Sequence, residues 1–281
     1  YFKVSKKEFY NALSVASRAI STFSPLPAFS GIKIDAKEDC LILTGSDSDV
    51  SIQTKLTKSE ECVLEIRDMG SIVIEAKYIL EIVRKIDADE IEFEMIDGSL
   101  TKISGNTAEF RINGMRANEY PAIDFSKPKE CFALKEETLK KVILQTSFAT
   151  SDKETRPVLT GVNFHCEGNT LHCVATDSYR LAKKTIDISE SLNFNITIPA
   201  KSLSEVVKTL EGEGEVEIAV NDKKAQFIIH DTIVQTRLID GVYPETSRLI
   251  PLQFDYELTI DSRDLLNAID RASFIKNDGV S

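Results

Sequence analysis

Tryptophan is absent from the 281 residues, histidine occurs three times, and five cysteines are scattered without a single CxxC pair. An odd, dispersed set (Cys40, Cys62, Cys131, Cys166, Cys173) supplies neither a disulfide framework nor a cysteine-rich zinc site, so reduced structural thiols are expected. No apolar run approaches the roughly 18 to 20 residues of a membrane helix, and the start Tyr1-Phe2-Lys3-Val4 has none of the regions of a secretory signal. A soluble, cytoplasmic protein is the expectation. Positive charge is also in short supply. Thirty-four Lys and Arg against 45 Asp and Glu leave a net charge of -11, which by itself weighs against a nucleic-acid partner, since phosphate affinity comes from Lys and Arg. The length exceeds one ordinary domain of roughly 100 to 150 residues, so more than one core is expected.

What the sequence does have is an internal repeat. Phe2-Lys3-Val4-Ser5-Lys6-Lys7-Glu8-Phe9 recurs as Phe132-Ala133-Leu134-Lys135-Glu136-Glu137-Thr138-Leu139, 130 positions on. The same offset carries Pro27-Ala28-Phe29-Ser30-Gly31 onto Pro157-Val158-Leu159-Thr160-Gly161, and Leu41 to Ser48 onto Leu171 to Ser178. Three matches in register indicate duplication. The offset shortens to 124 at Ala76-Lys77 and Ala200-Lys201, and to 123 at Tyr120-Pro121 and Tyr243-Pro244, as loop lengths change. A third copy opens at Leu258-Thr259-Ile260-Asp261-Ser262-Arg263-Asp264-Leu265. The expected domains are therefore 1–124, 125–250 and an incomplete third over 251–281.

Each repeat reads as α+β. A short strand leads into an amphipathic helix whose apolar face is Phe9, Ala12, Leu13, Ala16 and Ile20. Alternating strands follow around Ile32 to Asp35 and Leu41 to Leu43, then a second helix with Ile79, Leu80, Val83 and Ile86 inward, then about three strands to Tyr120-Pro121. Helices are expected over Ser5–Ile20, Ala76–Ile86, Lys135–Phe148, Ala200–Leu210 and Ser262–Lys276. Together they are net positive, so the strands and loops must carry more than the whole deficit. The polar stripe of the first helix is Lys7, Asn11, Ser14 and Arg18. The second helix presents Lys77, Glu81, Arg84 and Lys85, and its counterpart Lys201, Glu205 and Lys208. Scattered cations without a base-reading constellation suit salt-dependent, sequence-independent contact with a duplex. The helix with Glu136 and Glu137 beside Lys140 and Lys141 is left out of that surface.

A longer motif is more specific. Val174-Ala175-Thr176-Asp177-Ser178-Tyr179-Arg180-Leu181-Ala182 resembles the second-domain signature of the bacterial sliding clamp, the beta subunit of DNA polymerase III. Arg156 to Gly161, Ile198 to Lys201, Asp240 to Pro244 and Arg248 to Pro251 are similar to that family, in order and at its spacing; so are Leu26-Pro27 and Leu43 to Asp47. The resemblance implies a DNA-clamp fold, α+β, with repeated domains of two helices on antiparallel sheet. Two full-length copies would close a ring with helices inside and sheets outside. It implies a non-catalytic processivity factor, without cofactor or metal, cytoplasmic and nucleoid-associated, that encircles double-stranded DNA. Its partners would be the DNA polymerase III catalytic subunit, the clamp-loader complex and other clamp-binding-motif proteins, with no membrane. Peptide binding would fall to Leu159, Thr176, Ser178, Tyr179, Arg180, Leu181, Pro244, Arg248 and Leu249. DNA contact would fall to Lys77, Lys153 and Lys201 by resemblance, with Arg84, Lys85 and Lys208 added from the stripes.

Other readings are weaker. His165-Cys166 and His172-Cys173 hold zinc-ligand types, but Glu167-Gly168-Asn169-Thr170 reads as a turn that makes them cross-strand neighbours. Asp47, Asp49 and Asp177 read as turn carboxylates. Gly212 and Gly214 sit among acids and lack the Lys and Ser/Thr of a phosphate loop. A peptide-binding scaffold without DNA is the alternative, and a hydrolase stands third.

Overall fold

The computed structural model describes residues 1–21, 24 and 26–273, in two compact units, Tyr1–Tyr243 and Pro244–Ser281. The first unit opens with β1 (Phe2–Ser5) and α1 (Lys6–Ser17), then β2 (Gly31–Ala36), β3 (Cys40–Ser46), β4 (Val50–Thr57), β5 (Leu64–Ile66) and β6 (Gly70–Glu75). Next come α2 (Ala76–Lys85), β7 (Glu90–Asp97), β8 (Leu100–Gly105), β9 (Ala108–Asn113) and β10 (Met115–Arg116). The second copy contains β11 (Glu130–Lys135), α3 (Glu136–Leu144), β12 (Gly161–Thr176), β13 (Leu181–Pro199), α4 (Ala200–Thr209), β14 (Glu215–Val220), β15 (Lys224–Ile229) and β16 (Thr232–Arg237).

The sheets repeat their order. One sheet runs β5-β1-β7-β8-β9; a nine-stranded sheet runs β10-β6-β2-β3-β4-β16-β15-β14-β11, so β11-β14-β15-β16 reproduces β1-β7-β8-β9. The two copies meet where β4 pairs antiparallel with β16, from Thr54 opposite Thr232 to Val50 opposite Thr236. A buried Thr54–Thr232 hydroxyl contact of 2.9 Å sits on that ladder.

The third sheet keeps the expected turn. The Gly161–Gly168 stretch of β12 pairs with Leu192–Pro199 and its Thr170–Thr176 stretch with Leu181–Asp187, the register breaking between Gly168 and Thr170. A straight strand would separate residues seven apart by about 23 Å, yet the His165 and His172 rings lie 6.5 Å apart. β12 therefore doubles back near Gly168, which has φ +62°, and the two histidines are cross-strand neighbours.

Apolar periodicity places the cores. Phe9, Ala12, Leu13 and Ala16 are buried on α1, and Phe2, Phe9 and Phe93 form a ring cluster with Phe2 and Phe93 stacked at 4.7 Å. Each such ring contributes about 1.5–3 kcal/mol by burial. A second core gathers Phe132, Leu139, Phe164, Leu203 and Phe227 and reaches across the β4–β16 junction to Val50 and Ile52. α1 ends at Ser17, earlier than expected, and Ile20 packs on the core from beyond it. α3 stops at Leu144 instead of running to Phe148, which lies in a separate 3-10 turn, Ser147–Ala149.

Gly45 explains part of the difference between the copies. A methyl at Gly45 would meet the Ala16 carbonyl oxygen at 2.1 Å, so the end of α1 lies directly on β3. The equivalent residue is Ala175, fully buried, and the helix above it has 9 residues where α1 has 12.

The helix starts differ too. The Lys6 ammonium donates to the Ile86 carbonyl at 2.5 Å. Its counterpart Glu136 instead accepts the Glu211 and Gly212 amides, both at 2.7 Å. Glu136 was expected on the charged face of α3, but is 1% exposed; its outward neighbour Glu137 pairs with Lys141 at 2.6 Å.

In the second unit, no strand forms at Leu258 to Ile260 among the described residues. The helix there is α5 (Ser262–Ser273), with Leu265, Leu266 and Ile269 exposed; the expected continuation to Lys276 lies outside the described residues.

Candidate functional site

The most ordered candidate is the turn that joins β12 to β13. Thr176 Oγ1 donates to the Arg180 carbonyl at 2.6 Å and accepts the Ser178 amide at 3.1 Å. Asp177 Oδ1 accepts the Tyr179 and Arg180 amides, each at 2.9 Å, and Oδ2 accepts Arg180 Nε at 3.1 Å. Those amides, then the guanidinium, hold the Asp177 carboxyl below the usual aspartate range. Ser178 has φ +79°, a left-handed geometry the two side-chain bridges impose. As a result Tyr179 projects 94% exposed, and the Arg180 guanidinium lies 5.8 Å from the Phe148 ring centre.

Arg156 ties a second element to this turn. Its Nη1 donates to Ser178 Oγ at 3.1 Å, which brings the 3-10 turn Pro157–Thr160 and its buried Leu159 alongside. Tyr243 supports the turn from the other side, its hydroxyl accepting the Thr176 amide at 3.0 Å; burial pushes that phenol upward.

Six of the nine expected peptide contacts, Leu159, Thr176, Ser178, Tyr179, Arg180 and Leu181, thus belong to one assembly. The other three belong to the second unit, where Arg248 and Leu249 form an exposed 3-10 turn, Ser247–Leu249, just after Pro244. Sequence reasoning missed Arg156, Asp177 and Tyr243 as positioning residues. Tyr243 was visible as the second Tyr-Pro of the repeat, Asp177 as a turn former and Arg156 as the first residue of a family-like stretch, but no residue type marks the Arg156–Ser178 bond.

Repeat 1 builds the same turn. Ser46 Oγ donates to the Val50 carbonyl at 3.0 Å and accepts the Ser48 amide at 3.2 Å; Asp47 Oδ1 accepts the Asp49 and Val50 amides at 3.0 and 2.8 Å. Ser48 has φ +85°. Identical bridges at an offset of 130 make this a property of the repeat.

The helices carry the basic candidates. α1 packs on β3 and β4, α4 on β16, and Arg18 Nη1 donates to the Lys208 carbonyl at 2.8 Å. The two helices therefore share one face of the nine-stranded sheet. That bond also withdraws Arg18 from the open stripe expected for it. Lys77 pairs with Glu75 at 2.7 Å and lies 4.6 Å from the Tyr78 ring centre. Arg84 and Lys85 share Glu81 at 2.7 and 3.8 Å, and Lys208 pairs with Glu205 at 2.8 Å. Lys153 and Lys201 are exposed and form no ion pair with any described residue. Exposed pairs are worth about 0–1 kcal/mol, so an incoming phosphate can replace the carboxylate. The structure places Lys77 and Lys201 at the same point of equivalent helices.

Among the described residues no three His, Cys, Asp or Glu side chains are grouped to hold a metal ion. His172 Nδ1 is 2.9 Å from Thr185 Oγ1 and His165 Nε2 is 3.1 Å from Glu167. No helix of the described residues is long and apolar enough to cross a membrane.

Comparison with known proteins finds relatives along the whole chain. Residues 1–124 match the family model of the DNA polymerase III beta subunit, N-terminal domain, and residues 133–245 match that of its central domain. The beta sliding clamp of Bacillus subtilis strain 168 is 38% identical over 99% of this chain and 75% of its own length. Among solved structures, the DNA polymerase sliding clamp from Bacillus subtilis superposes with a TM-score of 0.96 at 36% identity, covering 100% of this chain and 75% of that one. The beta chain of DNA polymerase III from Streptococcus pneumoniae superposes at 0.93 with 32% identity, over 97% and 74%.

Proposed function

Because the chain belongs to the DNA polymerase III beta-subunit family, the sliding clamps, we infer that it is a processivity factor that holds a polymerase on duplex DNA by topology. Its contribution is mechanical; we assign it no catalytic step and no cofactor. Lys77, Lys153 and Lys201 attract the phosphate backbone without reading sequence, helped by Arg84, Lys85 and Lys208. The observation that carries this is the recurrence of an exposed lysine at the first turn of α2 and of α4.

We further propose that the Thr176–Leu181 turn with Leu159 takes short linear peptides, and we carry over Pro244, Arg248 and Leu249 as further peptide-binding residues from the family resemblance. Leu159 and Leu181 would seat apolar anchors, and Arg180 the polar flank. Such peptides belong to the polymerase catalytic subunit, the clamp loader and other motif-bearing replication or repair proteins, in the cytoplasm. Repeats over 1–124 and 125–250, with a third that begins at 251, would let two full-length copies close a ring. The decisive experiment is retention on nicked circular plasmid after incubation with a clamp-loader ATPase. Retention lost on linearisation is expected; equal retention on circular and linear DNA overturns the topological reading.

A further inference from the structure

The two repeats finish their second helices by opposite means, and the difference starts from one reversal of charge. In the first repeat Lys6 heads α1, and its ammonium donates to the carbonyl of Ile86, the residue that closes α2. The equivalent pair in the second repeat is Glu136 and Leu210. A carboxylate accepts where an ammonium donates, so Glu136 takes amides instead, those of Glu211 and Gly212, both at 2.7 Å. In a continuing α-helix these two amides would return to the carbonyls of Val207 and Lys208. Val207 accepts the Leu210 amide at 3.3 Å. The Lys208 carbonyl is met by Arg18 Nη1 at 2.8 Å, a donor that belongs to the other repeat.

Packing holds Arg18 in place for this. Ala19, next in the chain, is 3% exposed within the core of the second repeat, and Val15 packs on the same core. The end of α1 is thus seated in the second repeat, with its guanidinium against the last turn of α4. That is the negative end of the helix dipole, where a cation is favoured. Phe148 stands at the position of Arg18 in the second repeat and carries no donor beyond its backbone, so the device belongs to this seam. The residue whose carbonyl is held, Lys208, is also one of the proposed DNA contacts, and its ammonium pairs with Glu205 one turn back at 2.8 Å. Fraying of the last turn would take Lys208 out of the helix and change the direction from which its ammonium reaches a phosphate.

We propose that Arg18 is a positioning residue for DNA contact: it caps α4 from the neighbouring repeat and so holds Lys208 in register on the helix. Arg18 acts through that carbonyl and does not itself touch phosphate. The role rests on the reading of Lys208 as a DNA contact; the cap does not.

The test pairs amide exchange with DNA titration on the whole chain. Arg18→Ala should lower the protection of the Leu210 amide, which closes α4, about threefold to tenfold, and leave the β4 and β16 amides of the seam unchanged. Arg18→Lys should regain most of that loss. With a short duplex titrated at several salt concentrations, Lys208→Ala lowers the slope of log affinity against log salt by about 0.9. Arg18→Ala lowers the slope in the parent chain and adds nothing once Lys208 is alanine. Unchanged Leu210 protection in Arg18→Ala overturns the proposal. So does a further fall of about 0.9 in the double variant, which would show Arg18 neutralising a phosphate itself. A Lys208→Ala slope equal to the parent's removes the DNA reading of Lys208 and this role with it, and the exchange data distinguish that failure from loss of the cap.

Discussion

Asp177 shows how much one short carboxylate can organise. Its two oxygens fix the Tyr179 and Arg180 amides and the Arg180 side chain, so Tyr179 is presented outward without any packing of its own. Because these partners depress its pKa, the stabilisation they bring is fully present above the ordinary aspartate value of about 3.9 and is lost only as pH falls through the lower, folded value. The Tyr179 and Arg180 amide shifts should therefore stay constant from neutral pH down to about 4 and move together below it. Movement centred near pH 6 would mean that another group controls the turn. The same scale shows where sequence reading ends. Glu136 looked like one acid among the charges of its helix, yet its partners are backbone amides in a distant loop, and an amide leaves no trace in residue type. Arg18 was misjudged for the same reason, since it binds a carbonyl.

At the level of elements, periodicity did most of the work. The faces of α1, α2 and α4 are those their spacing implies, and repeat arithmetic placed the Ser46–Val50 turn and the Thr176–Leu181 turn in equivalent positions. Helix lengths were less legible, because they depend on what lies beneath. α1 extends over Gly45, and no periodicity encodes a contact that requires the absence of a methyl group. Gly45→Ala should push the end of α1 away and lower stability by the upper part of the range of about 1–3 kcal/mol typical of overpacking, read as a reduced urea midpoint at unchanged slope. A change below about 0.5 kcal/mol would show that α1 moves freely and that the close approach is incidental. The fold-back of β12 shows the opposite case: Glu167–Thr170 was evident as a turn from residue type, and the pairing register breaks there, between Gly168 and Thr170.

For the whole molecule, a net charge of -11 is compatible with the proposed DNA partner because the helices are net positive while the strands and loops carry the acidic excess, and several helical cations are lightly held by neighbouring acids. This gives the candidate contacts unequal weight. Lys201→Ala should reduce the slope of log affinity against log salt by about 0.9 and weaken duplexes of every sequence alike. Lys77→Ala should reduce it by less, since Glu75 offsets part of that charge beforehand. Equal slopes for both variants would show that the Glu75 pair does not persist near DNA.

The β4–β16 ladder has a mechanical consequence. Two repeats joined by a flexible linker would form a hinge, but here hydrogen-bonded rungs from Val50–Thr236 to Thr54–Thr232 carry the sheet across the seam. Separating the repeats means shearing those rungs together and exposing the threonine pair and the core that continues beneath it. The seam is thus a load-carrying beam, and a force that must bend the assembly will find its compliance at joints other than this one.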